Sequence, residues 1–384
     1  MWRDRPLLHL CTAADMESKA PTAPSWKTFV FYILISFLTS LSVFAVLRGA
    51  SKAKVDKICT KVETPAIYYA GESDRKKTPR GTTSTTESDL VILLWTWPFG
   101  ERFPLDQCAR IHGISGCTFT VDRSWYSRAD AVILHHRDVC SSKTQLPQEP
   151  RPFNQRWVWF NLESPRHSPN LHFMDNLINL TLNYRRDSDI FSPYGWVERA
   201  KSAQNFRIPN KSKLAVWVVS NWDPSLTRVA YFNQLKNHLK IDVYGGGHRP
   251  LARDKTMSTI SQYKFYLAFE NSLNQDYITE KLWQNALLSG TLPVVLGPTR
   301  ENYERFLPSD AFIHVNDFPS AKELAAHLHF LDANDEQYGR YFEWRKTLQP
   351  IGYTDWTTHY CKACQALQQQ LDYKTIPSIA KWYK

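Results

Sequence analysis

The chain contains no run of five or more basic residues, which argues against a nucleic-acid-binding tail. It also shows no internal repeat. Charged residues are neither scarce nor dominant at 22%, and hydrophobic residues make up 43%, close to a globular average, so wholesale disorder is excluded. What is present in quantity is aromatic mass, with 14 Trp, 18 Tyr and 20 Phe available for large cores. At 384 residues the length suggests roughly two to three domains. The net charge of +10 suits an anionic ligand, a nucleic acid or an anionic surface without choosing among them.

One segment departs from the soluble pattern. Thr28 to Leu47 is 20 residues without a charge, flanked by Lys27 and Arg48. A helix of that length crosses a hydrocarbon core of roughly 30 Å. A signal peptide would carry a shorter apolar stretch, about 7–15 residues, nearer the N-terminus. The segment therefore reads as a membrane anchor, with 1–27 as a tail. Its orientation is ambiguous from the residues. Lys19 and Lys27 precede it, whereas Arg48, Lys52, Lys54, Lys57 and Lys61 follow, which leans toward a cytoplasmic C-terminal side. Sequons at Asn179 and Asn210 and the close cysteine pairs Cys108/Cys117 and Cys361/Cys364 lean toward an oxidising compartment. Each pair closes locally, or the C-terminal pair staples back onto the N-terminal half; Cys11, Cys59 and Cys140 have no evident partner. Residues 48–88, rich in Lys, Thr, Ser and Glu, read as a stem.

From residue 89 short apolar runs appear, bounded by turn residues: 89–95, 129–135 and 156–161, then 214–221, 241–245, 264–270, 292–297 and 311–317. Helical segments are expected over 228–239, 279–289 and 321–331. Strands alternating with helices imply parallel sheets, and two sets joined by a polar linker imply two Rossmann-like domains facing a cleft. Ligands bind such sheets beyond the carboxyl ends of the strands.

The segment FYLAFENSLNQDYITEK (265–281) is densest in polar chemistry. Thr279 is expected to cap the following helix, placing Lys281 in its first turn, where free amides and an ammonium together suit phosphate. Glu280, Tyr277 and Asn271 are then candidates for sugar hydroxyls. Arg228, opening the helix after the strand at 214–221, is a second phosphate candidate, since guanidinium binds it bidentately. The start of the Lys281 helix is equally readable as an ordinary exposed Glu-Lys pair, and Arg228 taken alone reads more readily as a surface arginine. Glu163 lies just past the strand at 156–161 and is a general-base candidate. Asp187 and Asp189 invite a metal reading, but Arg185 and Arg186 precede them and charge pairing is at least as good an account. His135 and His136 are adjacent, which is poor geometry for one metal ion.

FYLAFENSLNQDYITEK, LLWTWPFG (93–100), HHRD (135–138), WVWFNLESP (157–165), NYRRDSDI (183–190), PYG (193–195), GTLPVVLG (290–297) and the closing Cys-x-x-Cys resemble the α1,3-fucosyltransferases, nearly throughout 89–384 and closest to the Lewis-x-forming type. The resemblance implies a Golgi type II membrane protein with a lumenal catalytic region of GT-B fold: an N-terminal acceptor-side domain at 89–205, a GDP-fucose-binding domain at 206–350, and a tail at 351–384 returning toward the first. It implies inverting transfer of L-fucose from GDP-fucose to O3 of N-acetylglucosamine in type 2 N-acetyllactosamine. Glu163 then matches the general base, Arg228 and Lys281 the pyrophosphate contacts, and Asn271, Tyr277 and Glu280 the nucleotide and fucose contacts. Arg137 stands where relatives acting on type 1 chains carry Trp. Val216 and Tyr263 stand where some relatives carry an extra cysteine pair. No metal is required on this reading, with Mn²⁺ stimulation and a homodimer left open. The competing readings are a glycan-binding protein without catalysis and, more distantly, a cytoplasmic nucleotide-binding protein.

Overall fold

The computed structural model describes residues 89–202, 205–353, 355–369 and 372–384. The expected tail, anchor and stem (1–27, 28–47 and 48–88) lie outside the described residues. Among the described residues no helix is long and apolar enough to cross a membrane.

The first sheet is built from β1 (Leu90–Leu94), β2 (Cys117–Thr120), β3 (Ala131–His135), β4 (Arg156–Asn161), β5 (Leu180–Asn183) and β6 (Ile190–Phe191), in the order β2-β1-β3-β4-β5-β6. Every pairing in it is parallel. The chain then runs through β7 (Gly195–Arg199) into a second parallel sheet. That sheet contains β8 (Lys213–Val218), β9 (Ile241–Tyr244), β10 (Tyr263–Phe269), β11 (Leu292–Leu296) and β12 (Ile313–His314), ordered β12-β11-β10-β8-β9. β13 (Leu348–Gly352) returns antiparallel to β7. The two sheets belong to one compact unit.

Parallel sheets bury both faces, which is why their strands read as unbroken apolar runs. β10 shows this with a period of two. Phe265, Leu267 and Phe269 join one core with the helices Thr227–Leu235 and Ala321–Ala333. Tyr266 and Ala268 turn the other way, into a core shared with the first sheet and with Trp283. Val216 and Tyr263 belong to that second core, on the paired strands β8 and β10. Gly195 sits where the chain leaves the first sheet. A Cβ there would lie 2.4 Å from the Trp283 ring and 2.6 Å from the Ile351 carbonyl, so only glycine lets the ribbon β7–β13 lie against that tryptophan.

The C-terminal helices Trp356–Gln369 and Ile379–Tyr383 return to the first sheet. Two disulfides hold the longer one there, Cys108–Cys361 and Cys117–Cys364, so the pairs cross-link rather than close locally. Cys140 is also disulfide-bonded, which its position in the sequence did not suggest. The two bridges enclose sequence separations of 253 and 247 residues. Closing such long loops restricts the unfolded chain strongly, so replacing Cys117 and Cys364 by Ser should cost about 2–4 kcal/mol. A melting temperature lowered by roughly 5–10 °C, read by calorimetry on the purified variant, is the expected result.

Candidate active site

The carboxyl ends of β4 and β5 meet those of β8 and β10. The Ser164 and Ser272 hydroxyls lie 2.8 Å apart, the Arg186 amide donates to Asp276 Oδ2 at 2.9 Å, and the Tyr184 and Tyr277 rings are 5.2 Å apart. Site residues from both sheets therefore share one crevice.

Glu163 follows β4 by two residues. Its backbone is held by Asn161, which accepts from the Glu163 amide at 3.2 Å and donates to its carbonyl at 3.3 Å. Among the described residues no hydrogen bond reaches its carboxylate. Burial pushes its pKa up, against the opposing pull of Arg137 and Lys281, with Glu280 adding to the rise and His135 working against it. The carboxylate thus faces the charged groups of both sheets.

Lys281 opens a seven-residue helix, Lys281–Leu287, wound as a π-helix. The expected cap at Thr279 is not formed. The Thr279 amide and hydroxyl donate instead to Glu270 Oε1, at 2.8 and 2.9 Å, because that buried carboxylate requires donors. Lys281 Nζ lies 3.1 Å from Glu270, 3.1 Å from Glu280 and 2.8 Å from the Thr279 hydroxyl. Burial works against the ammonium, but the Glu270 and Glu280 carboxylates outweigh it and raise its pKa. The cation is thus fixed by side chains rather than by a long helix dipole.

Arg228, only 4% exposed, donates through Nη2 to the Asn221 carbonyl at 2.5 Å. Burial lowers its pKa while Glu270, Tyr277 and Glu280 act in the opposite direction. Its Nε has no hydrogen-bond partner among the described residues. A cavity of about 160 Å³ opens beside it, lined by Arg166 from the first sheet and by Arg228, Glu270 and Asn271 from the second. Asn271 Oδ1 is likewise buried and unpartnered, whereas Tyr277 is buried against Tyr184 and Tyr194. A larger cavity of about 310 Å³, near Phe312 and Phe330, lies apart from these residues, and its Arg300 is already paired with Glu304 and Asp317.

Arg137 reaches the crevice from the short helix His136–Val139, donating to the His167 carbonyl at 2.8 Å, with its Nε unpartnered. His135 Nδ1 pairs with Asp138 at 2.6 Å, and Asp138 also accepts from the Phe99 amide. His136 donates instead to the Pro169 carbonyl at 2.9 Å, and burial drives its pKa down to about 3. The two histidines therefore serve different partners. Asp187 pairs with Arg185, while Asp189 accepts from Thr181 and pairs with Lys374, so these carboxylates do not converge. Asn210 is exposed. Asn179 is buried, accepting from the Trp157 amide and donating to the Lys374 carbonyl at 2.6 Å; a glycan there requires the side chain to leave this buried place.

His167 was not singled out from the sequence. Burial lowers its pKa, reinforced by Arg137, Arg166, Arg228 and Lys281, and its Nε2 is unpartnered. Its place in the loop of Glu163, two residues after Pro165, was the available signal.

Parallel sheets meeting at a crevice that holds a carboxylate free of hydrogen bonds among the described residues and several fixed cations define a transferase-like site for an anionic substrate. The chain matches the family models described as "Fucosyltransferase, N-terminal" over residues 87–195 and "Glycosyltransferase family 10 (fucosyltransferase) C-term" over 208–382. It is 46% identical to the 4-galactosyl-N-acetylglucosaminide 3-alpha-L-fucosyltransferase FUT6 of Pongo pygmaeus, covering 96% of this chain and 99% of that one. It is 51% identical to the 3-galactosyl-N-acetylglucosaminide 4-alpha-L-fucosyltransferase FUT3 of the same species, covering 96% and 100%. A crystal structure of an alpha1,3-fucosyltransferase with GDP-fucose aligns over 77% of this chain and 95% of that chain, with a TM-score of 0.49 and 18% identity. This chain belongs to glycosyltransferase family 10, the fucosyltransferases.

Proposed function

We propose that this protein transfers L-fucose from GDP-fucose to O3 of N-acetylglucosamine in type 2 lactosamine, with inversion. The observation that carries the reading is that the Glu163 loop faces Lys281, felt at Glu163 itself, and Arg228, felt at His167, with buried polar atoms of Arg137, His167, Arg228 and Asn271 left without partners among the described residues. Buried polar groups are ordinarily hydrogen-bonded, so a convergent set of orphans suits a polar ligand.

Glu163 takes the O3 proton as that oxygen bonds to the anomeric carbon of fucose. The bond from that carbon to the β-phosphate oxygen breaks, and GDP leaves with the electron pair. Arg228 and Lys281 stabilise the growing negative charge as preorganised cations. Lys281 already satisfies three acceptors with its three protons. A phosphate oxygen must therefore displace one of them, and Glu280 is the exposed one, its side chain 37% accessible against 1% for Glu270. The freed Glu280 carboxylate can then accept from fucose hydroxyls, with Asn271 and Tyr277 alongside. Arg137 lies on the acceptor side, and relatives named for both α1,3 and α1,4 transfer are similar to this chain, so the linkage rests on that position. The two cross-linking disulfides and the exposed Asn210 support a lumenal, Golgi-anchored type II arrangement.

The purified protein should fucosylate type 2 lactosamine with an α1,3 linkage and leave type 1 chains nearly untouched. Linkage analysis of products from a panel of both acceptors with GDP-fucose tests this. A product fucosylated mainly at O4 of a type 1 chain would overturn the acceptor assignment.

A further inference from the structure

The peptide that carries Glu163 is gripped from a distant part of the chain. Tyr194 donates to the carbonyl of Leu162, and Tyr383 donates to the carbonyl of Glu163 itself. Tyr383 lies 220 residues further along, in the helix Ile379–Tyr383, and is 1% exposed. A carbonyl only accepts, so the single Tyr383 proton is committed to it. The phenol oxygen is then met by possible donors from the end of β5 and the residue after it, the Tyr184 hydroxyl at 2.9 Å and Asn183 Nδ2 at 3.4 Å. The short helix cannot drift from this place. Its Tyr383 ring meets Trp159 of β4 edge-on at 4.9 Å, and Arg185 donates to the Trp382 carbonyl with its guanidinium 4.6 Å over the Trp382 ring.

We propose that Tyr383 is a positioning residue for the transfer reaction: its hydroxyl fixes the peptide bearing Glu163 and so sets the reach of that carboxylate into the crevice. The inference rests on Glu163 as the base. Together, Asn161, Tyr194 and Tyr383 leave the backbone at 162–163 little freedom to rotate, and without the Tyr383 hydroxyl one of those restraints is gone. The carboxylate then samples more hydrated positions. It faces Arg137, His135, Lys281 and Glu280, and burial among them is what raises its pKa.

Tyr383→Phe keeps the ring against Trp159 and removes only the hydroxyl. The expected result is a kcat about tenfold or more lower, since small misplacements of a reacting group are costly, with KM for GDP-fucose within about twofold. The acid limb of kcat/KM should move to lower pH, because a better-hydrated carboxylate is a weaker base. A kcat within about twofold of the parent overturns the inference, and so does a kcat loss with the acid limb unmoved, which marks a merely structural role. If Tyr383→Phe does not fold, Tyr184→Phe weakens the same hydroxyl group arrangement and should lower kcat in the same sense; unchanged kcat there also overturns it. Glu163→Gln separates the two levels. Parent-like turnover in that variant removes the base assignment, whereas an inactive Glu163→Gln beside a parent-like Tyr383→Phe removes only the role of Tyr383.

Discussion

Glu163→Gln should lower fucosyl transfer by roughly 10²–10⁴-fold while GDP affinity stays within about twofold. The substitution is nearly isosteric, and no hydrogen bond among the described residues depends on the carboxylate, so the fold has little reason to change. What is lost is the group proposed to accept the O3 proton. The pH dependence follows with a definite sign. Burial raises the Glu163 pKa, and the base is active only when ionised. Activity therefore falls as pH drops through a value above the ordinary glutamate range, and kcat/KM should show an acid limb there. The residual activity of Glu163→Gln should lack that limb. A pH series with lactosamine and GDP-fucose, paired with GDP calorimetry, measures both, and undiminished turnover would sink the assignment.

Lys281→Met should produce two effects that can be told apart. The first is a loss of donor affinity of about tenfold or more, since a charge-assisted contact to phosphate disappears. The second is a loss of stability of about 3–5 kcal/mol, because the 1%-exposed Glu270 is left as a buried charge with no ammonium beside it. Glu270 can escape by taking up a proton, so the variant should regain stability as pH falls. The sign is that of a carboxyl whose folded pKa lies above its unfolded one: the protonated form is favoured by folding, below the folded pKa. Lys281→Met combined with Glu270→Gln should then recover much of the stability and none of the donor affinity. Denaturant melts and GDP-fucose titration of the three proteins form the cycle. Donor affinity restored in the double variant would show that the ammonium acts through the fold alone.

Glu163 was legible because it lies two residues past a recognisable strand, and Lys281 because it opens the helix that follows another. β1, β3, β4, β8 and β10–β12 are parallel and largely buried and stand out as apolar runs, as does the half-buried edge strand β9. β2, β5, β6, β7 and β13 did not, being short, interrupted by polar residues or, in β13, containing Pro350. The start of the Lys281 helix was misjudged for a different reason. Thr279 is a good cap by type, but a buried glutamate nine residues earlier competes for its hydroxyl, and a local pattern does not register that competitor. The disulfide partners were left open by spacing alone, and the return of the helix Trp356–Gln369 to the first sheet decides between the alternatives. Tyr194 and Tyr383 were invisible as site residues because their contacts with the crevice are made by folding, not by neighbours in the chain, whereas His167 had its nearness to Glu163 as a signal.

That return has a bearing on biosynthesis. The first sheet is among the earliest parts of the described chain to emerge from the ribosome, yet Cys361, Cys364 and Tyr383, which complete its surroundings, are among the last. The nascent first half must therefore wait, with Cys108 and Cys117 unpaired with their native partners, through the synthesis of the whole second half. Oxidation at that stage would join the wrong sulfurs, so maturation calls for a thiol–disulfide isomerase or for delayed oxidation.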